Sequence, residues 1–295
     1  MMLEALKRTF TFIHQHPFAN RHLFRAYTKF FKWQFQSVFN KKFIVKPFVG
    51  DVRFWAKKGL TGITGNIYCG LHEFEDMGFL LHFLRPEDAF YDIGANVGSY
   101  TLLASGVVGC ETLAFEPSQI SYDVLKKNIA LNQIELRVKA YNFALGAKTG
   151  FLNFTEYEGT SNRVVAANAD IPFKKVEVKK LDDFAEASPR FLKIDVEGFE
   201  TAVLDGASEM LKKENLKAIA IELNGSGNRY GFNEQDIHAG LTALGFKPYK
   251  YEPYSRTLHL LPIFTEYDTL YIRDLPFVND RLKTAKAFKL WNQYI

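Results

Sequence analysis

The sequence predicts an α/β protein built on a doubly wound, mostly parallel sheet. Three observations predict it. Phe90-Tyr-Asp-Ile-Gly-Ala-Asn-Val-Gly-Ser-Tyr100 reads as a buried strand that breaks into a glycine turn and opens a helix. Thr112-Leu-Ala-Phe115 reads as a second apolar strand, closed by Glu116. Phe191-Leu-Lys-Ile-Asp195 and Ala218-Ile-Ala-Ile-Glu222 read as further buried strands, each ending in a carboxylate. Apolar runs of this length, alternating with helical stretches, are the mark of strands covered on both faces.

The turn is the chemical centre of this pattern. Gly94 and Gly98 bracket Ala95 and Asn96, and glycine there permits positive φ and a close backbone approach to a ligand. A ligand over the turn is expected to meet free N–H groups at the positive end of the helix. The spacing is not the G-x-G-x-x-G of dinucleotide sites, and no P-loop lysine follows. Asp92, just before the turn, would repel a phosphate and attract a cation. Glu116 stands about twenty residues beyond it, where an α/β nucleotide site holds ribose hydroxyls. Pro117-Ser118 then starts a helix running to about Asn132, with Ser118 as its N-cap. S-adenosylmethionine (SAM), with a sulfonium, an ammonium and no phosphate, suits this set.

In order and spacing, Asp92-Ile-Gly-Ala-Asn-Val-Gly98, Phe115-Glu-Pro117, Lys193-Ile-Asp-Val-Glu-Gly198 and Ile221-Glu-Leu-Asn224 resemble the FkbM family of SAM-dependent methyltransferases. The resemblance covers residues 66 to 273, and Lys193 to Gly198 is its most specific piece. It implies the class I methyltransferase fold, Rossmann-like, with seven strands and an antiparallel last strand. It implies SAM as cofactor and hydroxyls of sugars, glycans or polyketide-type metabolites as acceptors. It places Glu73 near the amino-acid end of SAM, although a glutamate at a helix start is equally at home there. It places Asn142 and Ala144 where related enzymes hold adenine, although an asparagine at a strand end is often a turn residue.

The bulk numbers bound the rest. The chain has 295 residues and a net charge of +4. Nine lysines and arginines fall in Met1–Gly50 against one acid, Glu4, so the basic character is N-terminal. Cys69 and Cys110 make neither a disulfide framework nor a metal cluster, which fits a reducing cytoplasm. No apolar run reaches the ~18 residues of a membrane span, and the broken stretch after Lys7-Arg8 is not read as a signal peptide.

Taken in order, residues 1–65 form a basic, aromatic extension, 66–275 the catalytic domain and 276–295 a helical tail. In Arg21–Phe39, Phe24, Tyr27, Phe31, Phe35 and Val38 recur at helical spacing, Phe30 and Trp33 widen that face, and Arg25, Lys29 and Lys32 form a basic stripe. Such a helix can dock on its own domain, lid the active site, lie on an anionic membrane surface, touch RNA or pack in a homodimer. Leu136–Asn142 reads as the third strand, and Phe151–Phe154 and Lys175–Val178 as further ones. Val196–Leu211 is expected to be helical, with Glu197 and Glu200 in its first turn. Phe246–Tyr251 and Asp268–Ile272 suit the last, antiparallel pair. Their connection, with Tyr254, Arg256 and His259, is read as packing or as a place for a glycan to stack.

Lys193 and Asp195 share one strand face, and charges at the end of an inner strand are costly unless used or paired. Asp195, Glu197 and Glu222 are the candidates to take the acceptor proton, since a hydroxyl is a weak nucleophile. A rim of carboxylates can also hold Mg²⁺ through oxygen ligands. Lys193 would orient the acceptor or neutralise Asp195. The Asn/Asp-Pro-Pro-Tyr/Phe motif of base amino-group methylation is absent after the fourth strand, which disfavours nucleic-acid amines. An RNA 2′-O-methyltransferase and a silent SAM-binding subunit stay open as alternatives.

Overall fold

In the computed structural model, residues 2–40, 42–155, 161–166, 170–186, 188–265 and 268–295 are described. Two helices, α1 (Met2–Gln15) and α2 (Leu23–Phe39), precede a hairpin of β1 (Ile44–Pro47) and β2 (Arg53–Ala56). Helices α3 (Thr61–Cys69) and α4 (Phe74–Phe83) lead to β3 (Ala89–Ile93). The glycine turn then opens α5 (Ser99–Thr101), which continues as a π-helix, Leu102–Val108. Next come β4 (Glu111–Phe115), α6 (Gln119–Leu131) and β5 (Val138–Tyr141). Ser118 caps α6, as its position suggested. Four short strands follow: β6 (Ala144–Leu145), β7 (Gly150–Phe154), β8 (Val164–Val165) and β9 (Lys174–Lys179). The chain continues through β10 (Phe191–Ile194), α7 (Glu200–Asp205), β11 (Ala218–Glu222), α8 (Glu234–Ala243), β12 (Lys247–Glu252), β13 (Thr257–Leu260) and β14 (Asp268–Ile272). It ends with α9 (Leu275–Thr284) and a hairpin of β15 (Lys289–Leu290) and β16 (Gln293–Tyr294).

The main sheet has the order β13-β12-β14-β11-β10-β3-β4-β5. Pairing is parallel from β5 to β11, while β14 is antiparallel to both β11 and β12. This is the expected mixed sheet with one strand more. Thr257–Leu260 folds back on Tyr249–Glu252 as an eighth strand, in a stretch read as a connection. The same loop is packed rather than open. Arg256 donates to the carbonyls of Ala285 and Ile295, and the Arg21 guanidinium sits 3.8 Å over the Tyr254 ring. Strands β6 to β9 form a separate sheet. The polar stretch Gly159–Asp170, open to reading as a loop over the substrate or a long hairpin connection, lies partly outside the described residues.

Alternation along each central strand explains the two-sided core. Phe90, Phe191, Ala218 and Ala220 join a cluster with α4 and α9 on one face. Tyr91, Ile93, Leu192, Ile194, Ile219 and Ile221 join another with Val203, Met210, Ile237 and Leu241 on the other face. The C-terminal segment is therefore part of the core through Val278, Leu282, Phe288, Leu290 and Ile295, and it holds a hairpin beyond its helix.

One buried ion cluster ties this segment to the sheet. Asp88, 2% exposed at its side chain, pairs with Arg190 at 3.2 Å and with Arg281 of α9. It also accepts the Arg85 backbone N–H at 2.8 Å. Removing one partner of such a group strands buried charge, so Asp88→Ala is expected to cost about 3 kcal/mol in denaturant unfolding. A loss below a few tenths would mean that the two arginines find other partners.

Two local expectations need correction. Val196–Leu211 is not one helix: Glu197 has φ of 56° and Gly198 of 97°, so the helix begins only at Glu200. Glu200, not Glu197, serves its start, accepting the N–H groups of Val196 and Gly198 at 3.1 Å each. On α2, the single aromatic face expected is divided: Phe30 and Trp33 are buried, while Phe24, Phe31, Phe35 and Val38 stand exposed.

Candidate active site

Parallel register brings the motifs together. Lys193 pairs in register with Asp92, and Glu222 with Asp268, so four charged residues gather at one rim of four neighbouring strands. Above them lies a cavity of about 290 Å³ lined by the glycine turn, Phe115, Glu116, Phe143, Lys193 and Glu222 among others. It sits at the carboxyl ends of the parallel strands, where open α/β sheets bind their ligands.

The turn is built differently from an anion cradle. The N–H groups of Gly94 and Ala95 both donate to the Phe115 carbonyl at 3.0 Å. The Asn96 N–H donates to Glu116 at 2.8 Å and the Gly98 N–H to the Ala95 carbonyl at 2.8 Å. The expected free N–H groups are therefore engaged by the protein at these four positions. Gly94 has φ of 81° and passes so close to the next strand that a Cβ would stand 1.8 Å from the Asp195 carbonyl oxygen.

Asp92 and Glu116 are both buried and both line the cavity. Asp92 accepts the Thr101 N–H at 3.0 Å and hydroxyl at 2.6 Å, which fastens the strand to the helix. Burial, opposed by those bonds and by Lys193, pushes its carboxyl up to about 6. Glu116 accepts the N–H groups of Asn96 and Ser118 at 2.8 and 2.7 Å. Burial still pushes it up to about 7. Pro117, Ala95 and Ala144 line the same cavity. Asn142 does not. Its amide donates to the carbonyls of Glu116 at 2.9 Å and Pro117 at 3.2 Å, so it shapes the loop from behind. Glu73 lines the cavity and accepts the Tyr100 hydroxyl.

Lys193 is buried and makes two ion pairs at 3.2 Å, to Asp195 and Asp268. Burial alone would lower its ammonium, but Asp195, Asp268, Glu73 and Glu222 outweigh that and hold it well above the usual lysine range. It is therefore a fixed cation and not a base. Asp195, Glu197 and Glu222 each bring an oxygen within 4.8 Å of the others. Burial, then the charge of Asp195, push Glu222 up to about 8 and Glu197 up to about 7. Arg229 and Arg163 pull Glu197 the other way.

Sequence reasoning missed Asp268, the second partner of Lys193. Burial, opposed by Lys193, pushes it up to about 6. Its signal was an acid opening an otherwise apolar strand. His72 and Asn162 also line the cavity and belong to no motif.

A family model of the methyltransferase FkbM domain matches residues 92–248, from the acid before the turn to the strand after α8. The chain belongs to the FkbM methyltransferase family. This FkbM-family methyltransferase is 31% identical to the methyltransferase sdnD of Sordaria araneosa in a match that covers 42% of this chain and 62% of that protein. It is 26% identical to the hexuronic acid methyltransferase AglP of Haloferax volcanii over 145 residues, 48% of this chain and 59% of that protein. The matches thus span less than two thirds of either curated relative. A solved FkbM methyltransferase from Methylobacillus flagellatus aligns with 70% of this chain and 52% of its own, at 19% identity and a TM-score of 0.46. Among the described residues, no helix of the FkbM-family chain is long and apolar enough to cross a membrane.

Proposed function

We propose that this methyltransferase takes its methyl group from SAM and delivers it to a hydroxyl of a sugar, glycan or polyketide-type metabolite. The observation that carries this reading is the carboxylate rim of Asp195, Glu197 and Glu222 beside a turn whose amides are already engaged. A site with Asp92 and Glu116 in its lining and those amides taken suits a cationic, phosphate-free donor. Asp92, the Gly94–Gly98 turn and Glu116 would hold it, with Glu73 at its amino-acid end and Phe143 and Ala144 beside its base. SAM supplies a methyl group already activated by its sulfonium.

The chain has to place the acceptor oxygen and take its proton. Glu222, with a carboxyl near 8, is matched to that task near neutral pH, and Glu197 stands next to it. Lys193 holds Asp195 in place by its ion pair. Arg163 and Arg229 beside Glu197 would face an acidic sugar favourably, in keeping with the hexuronic acid relative. The rim offers oxygen ligands of the kind Mg²⁺ takes. Lys193 and the raised carboxyls of Glu197 and Glu222 already offset much of its charge.

Calorimetric titration with SAM tests the reading. Saturable binding is expected, and Asp92→Ala and Glu116→Ala should each weaken it at least tenfold, a loss of about 1.4 kcal/mol or more. NAD should not bind. A folded wild type that ignores SAM, or variants that bind it equally well, would overturn the donor site. Transfer of labelled methyl to uronic-acid acceptors then tests the acceptor class. Transfer to RNA with a steep salt dependence would favour the 2′-O reading instead.

A further inference from the structure

The N-terminal extension has two apolar faces, and its own domain covers one of them. Ala26, Phe30, Trp33 and Ser37 of α2 are buried. Phe30 packs in a cluster with Ile13 and Cys69, and Trp33 in one with Phe54 and Ile63. On the opposite side Phe24, Phe31, Phe35, Val38 and Phe39 stand 55–89% exposed. These five are close to half of the twelve large apolar side chains exposed among the described residues. Soluble surfaces rarely gather them on one helix face.

A basic stripe runs along the same helix. Arg25, Lys29 and Lys32 flank the phenylalanines, and Lys46 joins them from β1. Among the described residues, no carboxylate lies within ion-pair distance of any of the four. Burial, and then repulsion by Arg25, Lys46 and Lys32, lowers the Lys29 ammonium. Arg25 and Lys29 rest near the Trp291 ring, at 5.4 and 5.2 Å.

We propose that the outward face of α2 docks on an anionic lipid bilayer. The phenylalanine strip would enter the headgroup–acyl boundary, and the cations beside it would meet lipid phosphates. Charge complementarity selects this occupant. A second copy of the chain would bring four cations, none paired with a carboxylate among the described residues, against four more. RNA would satisfy the cations, but it would leave a continuous strip of phenylalanine and valine side chains, set apart from the charges, without a role. Seventeen residues on a helix already packed by one face cannot cross a bilayer, so the contact is peripheral.

The test is flotation of the full chain with vesicles of phosphatidylcholine carrying about 30 mol % phosphatidylglycerol. The wild type should float with them and bind pure phosphatidylcholine vesicles at least tenfold more weakly. The triple variant Phe24→Ser, Phe35→Ser, Phe39→Ser, at the three most exposed positions of the strip, should lose at least tenfold in binding. Its melting temperature and SAM affinity should stay those of the wild type. Arg25→Gln with Lys32→Gln should lose a similar factor, selectively on anionic vesicles. Three results would overturn the proposal. One is a wild type that binds no vesicles. Another is a dimer by light scattering that falls to a monomer in the triple variant. The third is RNA binding through the cations with no lipid binding.

Discussion

An alanine at position 94 is expected to cost 3 kcal/mol or more and to abolish SAM binding. Two costs combine. Gly94 holds φ of 81°, a left-handed conformation that costs an L-residue on the order of 1–2 kcal/mol. The new Cβ would also stand 1.8 Å from the carbonyl oxygen of Asp195. That oxygen is backbone, at the end of a strand locked in register between β3 and β11, so it cannot turn aside as a side chain would. Relief requires parting β3 from β10 where the cavity forms. Gly109 gives the control. Its φ is 96°, but a Cβ there meets nothing within 4 Å, so Gly109→Ala should show the conformational cost alone. Thermal unfolding and SAM titration of both variants check this. Equal losses at the two sites would mean that the strands part easily, and the turn would then not be the rigid element described.

Glu222→Gln is expected to lower kcat at least a hundredfold, a factor in the usual range for a general base. It should leave SAM affinity within about threefold, since Asp92, the turn and Glu116, and not Glu222, would hold the donor. The wild-type rate should climb from pH 6 to above 8, as a carboxyl near 8 gives up its proton, and the variant should lose that limb. Stability should move the opposite way. In the folded chain burial raises this carboxyl, so between about 4.5 and 8 the native state holds a proton that the unfolded chain has released. Binding more protons when native means that stability falls as pH rises through that window. Glutamine cannot ionise, so the variant should be more stable above pH 7, by on the order of 1 kcal/mol. A variant that keeps its kcat removes Glu222 as the base and points to Glu197.

What could be read in the sequence was whatever strands and turns impose locally. The alternating faces of β3, β10 and β11 follow from their apolar runs, and the turn follows from Gly94, Gly98 and the acid before them. Lys193 and Asp195 stood out because charge at the end of a buried strand needs a partner. The partner Asp268, 75 residues further on, was hidden because only the antiparallel insertion of β14 brings it near. Asn142 was marked by its address at a strand end, while its partners in the fold, the carbonyls of Glu116 and Pro117, lie about 25 residues back and could not be read from that address. On α2, spacing marked the apolar residues correctly. It could not say which of two apolar faces the domain would cover, since both repeat at helical intervals.

The strand order carries a consequence for synthesis. β14 lies between β11 and β12, yet it leaves the ribosome after both. Until Ile272 has emerged, β11 and β12 each present an unpaired edge, rich in buried-type side chains, to every neighbouring nascent chain. The sheet can therefore close only once the chain through Ile272 is available, and the distant pairings make that closure slow. Chains arrested or truncated before Asp268 should be strong clients of holding chaperones, and faster translation should do little to hasten the appearance of folded enzyme.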